Sequence, residues 1–106
     1  MKPKVIVTPH AMTRFKQRCN REHLLDEVAQ RIIVSMVRSG MDFGVIKHNE
    51  SLKLNQFDDR NGIIDVVFVI IKTFCEITHR PLLIIKTVLT KEQAIANMQM
   101  LNKSLS

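Results

Sequence analysis

A chain of 106 residues with 45% hydrophobic and 25% charged content reads as one globular domain spanning 1–106, and excludes wholesale disorder. The longest apolar run, Val66 to Ile71, is far shorter than the roughly 20 residues a membrane helix requires, and Met1-Lys2-Pro3-Lys4 opens no signal peptide, so a soluble cytoplasmic protein is expected. Sixteen Lys and Arg against ten Asp and Glu give a net charge of +6 and a pI near 9.8, a balance that excludes an acidic nucleic-acid mimic and suits a polyanionic partner, or serves solubility alone.

Lys4-Val5-Ile6-Val7 is short and β-branched, hence a strand. Thr8-Pro9 then starts a helix, because Thr8 can cap it and proline suits its first position. This helix is expected from Pro9 to about Cys19, with Ala11, Phe15 and Cys19 as its apolar stripe. A second helix is expected from Arg21 to Arg38, burying Leu24, Leu25, Val28, Ala29, Ile32, Met36 and Val37 at the 3.6-residue period. Gly40 would end it in the left-handed conformation. Strands follow at Phe43 to Lys47 and Ser51 to Phe57, separated by a turn at His48-Asn49-Glu50, with Leu52, Leu54 and Gln56 facing one way. Asp58 to Gly62 reads as a hairpin turn, since Asn61-Gly62 tolerates positive φ. Ile63 to Lys72 is almost continuously apolar, as a central strand covered on both faces must be. After a turn at Thr78 to Pro81, Leu82 to Leu89 forms another strand. Thr90 caps a last helix from Lys91 to about Lys103, with Ala94, Met98 and Leu101 inward. The fold class is therefore α+β: an early strand, two N-terminal helices packed on a mainly antiparallel sheet of four to five strands, and a C-terminal helix.

The chemistry-bearing feature is Thr8 to Arg18. His10, Arg14 and Arg18 recur every four residues and form one stripe along the first helix, offset from the apolar one. Stacked like charges repel, and a phosphate would relieve that repulsion through the planar donor fork of arginine. His10 falls in the first turn, where the positive end of the helix dipole favours the neutral imidazole that a general base requires. The plainer reading of the same spacing is a solvated helix face. With no Trp or Tyr and five scattered Phe, base stacking has little material, so phosphate contacts would dominate any nucleic-acid binding.

The segment His10-Ala11-x-x-Arg14-x-x-x-Arg18 resembles the HAxxRxxxR signature of small proteins in the barnase/EndoU/colicin/RelE class of metal-independent ribonucleases. The order of elements is similar to that of RelE-type toxins, and Leu82 to Val88 resembles the family's closing strand with its Thr-Val ending. The resemblance implies an RNA-cleaving toxin or a phage or mobile-element effector. It implies His10 as acid/base group, Arg14 and Arg18 on the scissile phosphate, and a hydroxyl from Thr87 on a phosphate oxygen. The ribose 2′-hydroxyl would be the nucleophile, giving a 2′,3′-cyclic phosphate and a 5′-hydroxyl without metal or cofactor. A single histidine must then shuttle the proton, or be joined by a second group such as His79, Lys86 or Glu76. Lys86 and His79 are candidate phosphate contacts as well.

Other residues carry plainer readings. His79 is an exposed turn residue in the simpler view, and His23 and His48 take no role. Asp65 interrupts an apolar run and needs partners such as Arg14 or Lys86 if buried, or faces water near the strand end. Cys19 and Cys75 form no CxxC pair and are expected to be reduced packing residues, and the four His lack zinc-finger spacing. With three Gly and no Walker or GxSxG motif, kinases, nucleotide switches and serine hydrolases are excluded. The alternative to an enzyme is a basic binding module that holds nucleic acid or inhibits a host or defence protein. An antitoxin or host partner fits either reading, as does a monomer or a homodimer.

Overall fold

The computed structural model describes residues 3–47, 50–59 and 62–105. Its elements run β1 (Lys4–Val7), α1 (Pro9–Arg18), α2 (Asp26–Ser39), β2 (Met41–Lys47), β3 (Glu50–Asp59), β4 (Gly62–Phe74), β5 (Pro81–Thr90) and α3 (Lys91–Leu105). The five strands form one sheet in the order β1-β5-β4-β3-β2. β1 lies parallel to β5, and β2·β3, β3·β4 and β4·β5 are antiparallel. The expected α+β class is what the chain adopts.

β4 occupies the middle of the sheet because it is the strand with apolar residues in both parities. Val66, Phe68 and Ile70 enter the core under α1 and α2, built with Ala11, Phe15, Cys19, Ala29, Ile33 and Val37. Val67 and Val69 face the other way and meet Leu52 and Ala94, with Phe43, Leu54, Leu89 and Met98 packed around them. Three layers result: two helices, the sheet, and α3.

Phe15 holds the first core together. It is fully buried, edge-on to Phe57 at 5.6 Å between ring centroids and stacked against Phe68 at 6.5 Å.

Four local expectations are corrected. α2 begins at Asp26 rather than Arg21, and residues 20–25 form a turn with Asn20 at φ 54°. Asp26 and Glu27 suit the dipole at that start, and Asp26 pairs with Lys16 of α1. Leu25, expected inward, precedes the helix at 72% exposure, Val28 is also exposed, and Ile33 takes a core place. Gly40 is not left-handed: its φ of −72° and ψ of 157° are extended. Close approach explains the glycine, since a Cβ there would lie 3.1 Å from the Met36 carbonyl oxygen and 3.3 Å from that of Leu54. Glu50, placed in a turn by sequence, opens β3.

At the other end of the chain, the Thr90 hydroxyl accepts the Gln93 N–H while the Gln93 side chain accepts the Thr90 N–H, a reciprocal cap that starts α3. β3 and β4 pair as a hairpin down to Asp59 and Gly62, the latter at φ 135°. The turn residues His48, Asn49 and Asn61, and the Leu101 side chain, fall outside the described residues.

One irregularity decides which faces the site residues occupy. Val69 pairs with Thr87 but Ile70 pairs with Ile85, so Lys86 is an extra residue, a bulge in β5. Ile85 and Val88, three positions apart, consequently both enter the α1–α2 core. Thr87, opposite Val69, shares the α3 side of the sheet.

Candidate functional site: the exposed stripe of α1

Thr8 builds the site's framework. Its hydroxyl accepts the Ala11 N–H at 3.1 Å, capping α1, and faces the Ile85 and Lys86 carbonyl oxygens at 2.9 and 3.2 Å as donor. Its own N–H donates to the Ile85 carbonyl. The helix carrying His10 is thereby fastened to the β5 bulge. Replacing Thr8 with valine removes the cap and both bulge contacts, and is expected to cost about 2 kcal/mol while serine costs little. Urea unfolding of the two variants checks this.

His10 stands exposed in the first turn, and Arg14 and Arg18 follow on the same side, each half-buried. Four residues of helix separate Arg14 from Arg18 by about 6 Å along the axis, the scale of successive phosphates in a nucleic-acid strand. The Arg14 guanidinium donates to the neutral Gln17 side chain at 3.1 Å. The Arg18 Nε is buried without a hydrogen-bond partner. Among the described residues no carboxylate is paired with either arginine. Neighbouring lysines differ: Lys16 is paired with Asp26, Lys53 with Asp42 at 3.9 Å, and Lys86 with Glu50 at 2.7 Å. Among the described residues, these three lysines thus each face a carboxylate and Arg14 and Arg18 do not.

The other sequence candidates are distributed elsewhere. Thr87 lies on the sheet face opposite α1. Lys86 is close to the α1 cap through its backbone, but its ammonium is held by Glu50, whose side chain is only 9% exposed. His79 and Glu76 are exposed in the β4–β5 turn, His79 at φ 55°. From Pro81 to Lys86 is five strand residues, on the order of 16 Å, so that turn sits at the far end of β5 from the α1 cap. Asp65 is half-buried and accepts from Gln56 across the hairpin at 3.3 Å, rather than from Arg14 or Lys86. The structure therefore brings together His10, Arg14 and Arg18 and does not join Thr87 or His79 to them.

Glu50 is the residue that sequence reasoning passed over. Its parity with Leu52 and Leu54 in β3 would have placed it on an apolar face, where a carboxylate needs a partner. In the far turn, the hydrogen bond from the Thr78 hydroxyl, followed by the Thr78 and Ile77 backbone groups, lowers the pKa of Cys75. Cys19 is fully buried, and neither cysteine is in a disulfide.

Among the described residues no group of three His, Cys, Asp or Glu side chains could hold a metal ion, and no helix is long and apolar enough to cross a membrane. A concavity of about 650 Å³ runs along α2, the helix that follows α1, past Glu27, Arg31, Val34 and Arg38. The protein is a three-layer α+β domain with a basic helix face fastened to a bulged strand. No family model, no curated protein and no solved structure matches this chain.

Proposed function

We propose that this protein binds RNA through the α1 stripe and cleaves it without a metal, using the ribose 2′-hydroxyl as nucleophile. The observation that carries the reading is electrostatic. In a chain of net charge +6, Arg14 and Arg18 stand one helix turn apart beside an exposed histidine, while Lys16, Lys53 and Lys86 are paired with carboxylates. The resemblance of His10-Ala11-x-x-Arg14-x-x-x-Arg18 to metal-independent ribonucleases supplies the reaction class.

In that reaction His10 takes the 2′-hydroxyl proton as the oxygen attacks phosphorus. The bond from phosphorus to the 5′-oxygen breaks, and the leaving oxygen receives a proton from the same imidazolium. Arg14 and Arg18 stabilise the charge that accumulates on the phosphorane oxygens, where electrostatic contributions are generally largest.

The test is cleavage of total RNA and tRNA in excess EDTA, comparing the native chain with His10→Ala and scoring 2′,3′-cyclic ends. General acid–base catalysis contributes about 100-fold or more, so the variant is expected to lose at least that much rate. Equal cleavage by both chains removes His10 from the mechanism.

A second reading is a binding module without catalysis. It is favoured by the placement of Glu76 and His79 in the far turn and the engagement of Lys86 by Glu50, which leave His10 without either of these as an acid–base partner. RNA that is bound but left intact selects this reading. Binding that resists added salt points instead to a protein partner.

A further inference from the structure

We propose that the pocket between the C-terminal end of α2 and the sheet is a binding site for a small phosphomonoester with an apolar body. None of His10, Arg14 and Arg18 lines it, so its occupancy does not depend on RNA binding by α1.

The pocket has a volume of about 290 Å³ and is lined by Pro3, Val37, Arg38, Lys53 and Leu83. Sites for small ligands begin near this size. The end of α2 is held in place over the sheet. The Asn55 side-chain amide donates to the Met36 carbonyl at 2.9 Å and to the Ser39 hydroxyl at 3.0 Å. Gly40 lets that end come close to β3, and its N–H donates to the Val37 carbonyl. The carbonyls of Met36 and Val37 therefore have backbone or amide donors already, and Arg38 is not needed to cap them.

The lining divides by chemistry. Val37 is fully buried and Leu83 packs against the α1–α2 core, so with Pro3 they form an apolar floor. Arg38 and Lys53 bring two cations to the same cavity. Lys72, the register partner of Leu83, stands on the same face of the sheet.

These cations are weakly answered by the protein itself. Lys53 has Asp42 at 3.9 Å, the far limit of an ion pair, and its side chain is 24% exposed while that of Asp42 is 86% exposed. Among the described residues no carboxylate is paired with Arg38 or Lys72. Like charges lining one cavity repel, and a dianion relieves both together. A phosphomonoester carries nearly two negative charges at neutral pH, and its oxygens match the donor fork of arginine. Its body covers the floor. A monocarboxylate would leave one cation unanswered, and inorganic phosphate would leave the floor wet.

The experiment is an NMR titration of backbone amides with phenyl phosphate and with inorganic phosphate, on the native chain, Arg38→Gln, Lys53→Gln and Arg31→Gln. In the native chain phenyl phosphate is expected to shift the amides of Val37, Lys53 and Leu83. It should bind about tenfold more tightly than inorganic phosphate, the contribution of roughly 60 Å² of apolar surface. Arg38→Gln and Lys53→Gln should each weaken it about tenfold or more, as loss of a charged hydrogen bond does. Arg31 lies two turns earlier on α2, outside the pocket and about 10 Å along the axis. That separation equals the screening length in 0.1 M salt, so Arg31→Gln should change affinity by less than about twofold.

Shifts confined to α1, or equal affinity for the two phosphates, overturn the site. So does a loss in Arg31→Gln as large as that in Arg38→Gln, which would reduce the effect to net charge. The two native-chain comparisons decide the matter if a variant does not fold. A triribonucleotide with and without a 5′-phosphate then identifies the source of the ester. Pocket shifts that need the 5′-phosphate assign the site to a strand end, and pocket shifts with neither assign it to a free small molecule.

Discussion

Replacing both Arg14 and Arg18 with glutamine is expected to flatten the salt dependence of RNA binding by about 1.4, because two phosphate contacts are lost at about 0.7 each for single strands. At 0.1 M salt relative to 1 M, that corresponds to roughly 25-fold weaker binding. The expectation follows from their surroundings. Among the described residues, Arg14 donates to the neutral Gln17, and the Nε of Arg18 is buried without a hydrogen-bond partner. Neither substitution breaks an ion pair among the described residues, so the fold is expected to survive and the loss to appear in binding alone. Lysine at the two positions keeps the charge and should keep most of the slope, but loses the planar fork and so some affinity. Fluorescence titration of a labelled oligoribonucleotide at several salt concentrations measures all of these. A double glutamine variant that binds with native slope would remove the stripe from the interface.

The second large effect is on stability. Phe15→Ala is expected to destabilise the domain by about 3–5 kcal/mol, the usual range for removing a fully buried aromatic ring. The total stability of a domain this size is about 5–15 kcal/mol, so a large share is at stake. At roughly 4 °C per kcal/mol, Tm should fall by on the order of 15 °C. Phe15 merits this expectation because its ring contacts both Phe57 of β3 and Phe68 of β4, and so fixes α1 across the sheet. The same ring lies one residue after Arg14. Loss of its packing should therefore also loosen the stripe, and RNA binding by the folded fraction should weaken together with thermal stability. Phe15→Leu, which keeps much of the volume, should recover most of both. Calorimetry on the three chains checks the order.

Much of the architecture was legible in the residues. The short β-branched run of β1, the Thr8-Pro9 cap and the apolar run in β4 are local signals, and each element they indicate is present. The start of α2 was not legible. Leu24 and Leu25 continue the helical period, yet the chain turns at Asn20, and the acidic pair Asp26-Glu27 begins the helix where it also pairs with Lys16. Gly40 misled for a similar reason: helix-ending glycines are usually left-handed, and here the need was for space against Met36 and Leu54. The His10, Arg14 and Arg18 stripe required only the 3.6-residue period, so the sequence contained it in full.

What the sequence by itself determined is the set of elements and the composition of the α1 face, because both follow from interactions between residues a few positions apart. What only the tertiary structure decided is which charges remain available and which face each strand residue takes. Lys86 and Glu50 are 36 positions apart and meet through strand register. Thr87 changes sides because one extra residue in β5 reverses the parity of everything after it. A bulge is set by how β5 must satisfy β4 on one edge and the Thr8 cap on the other, and no local pattern encodes that compromise.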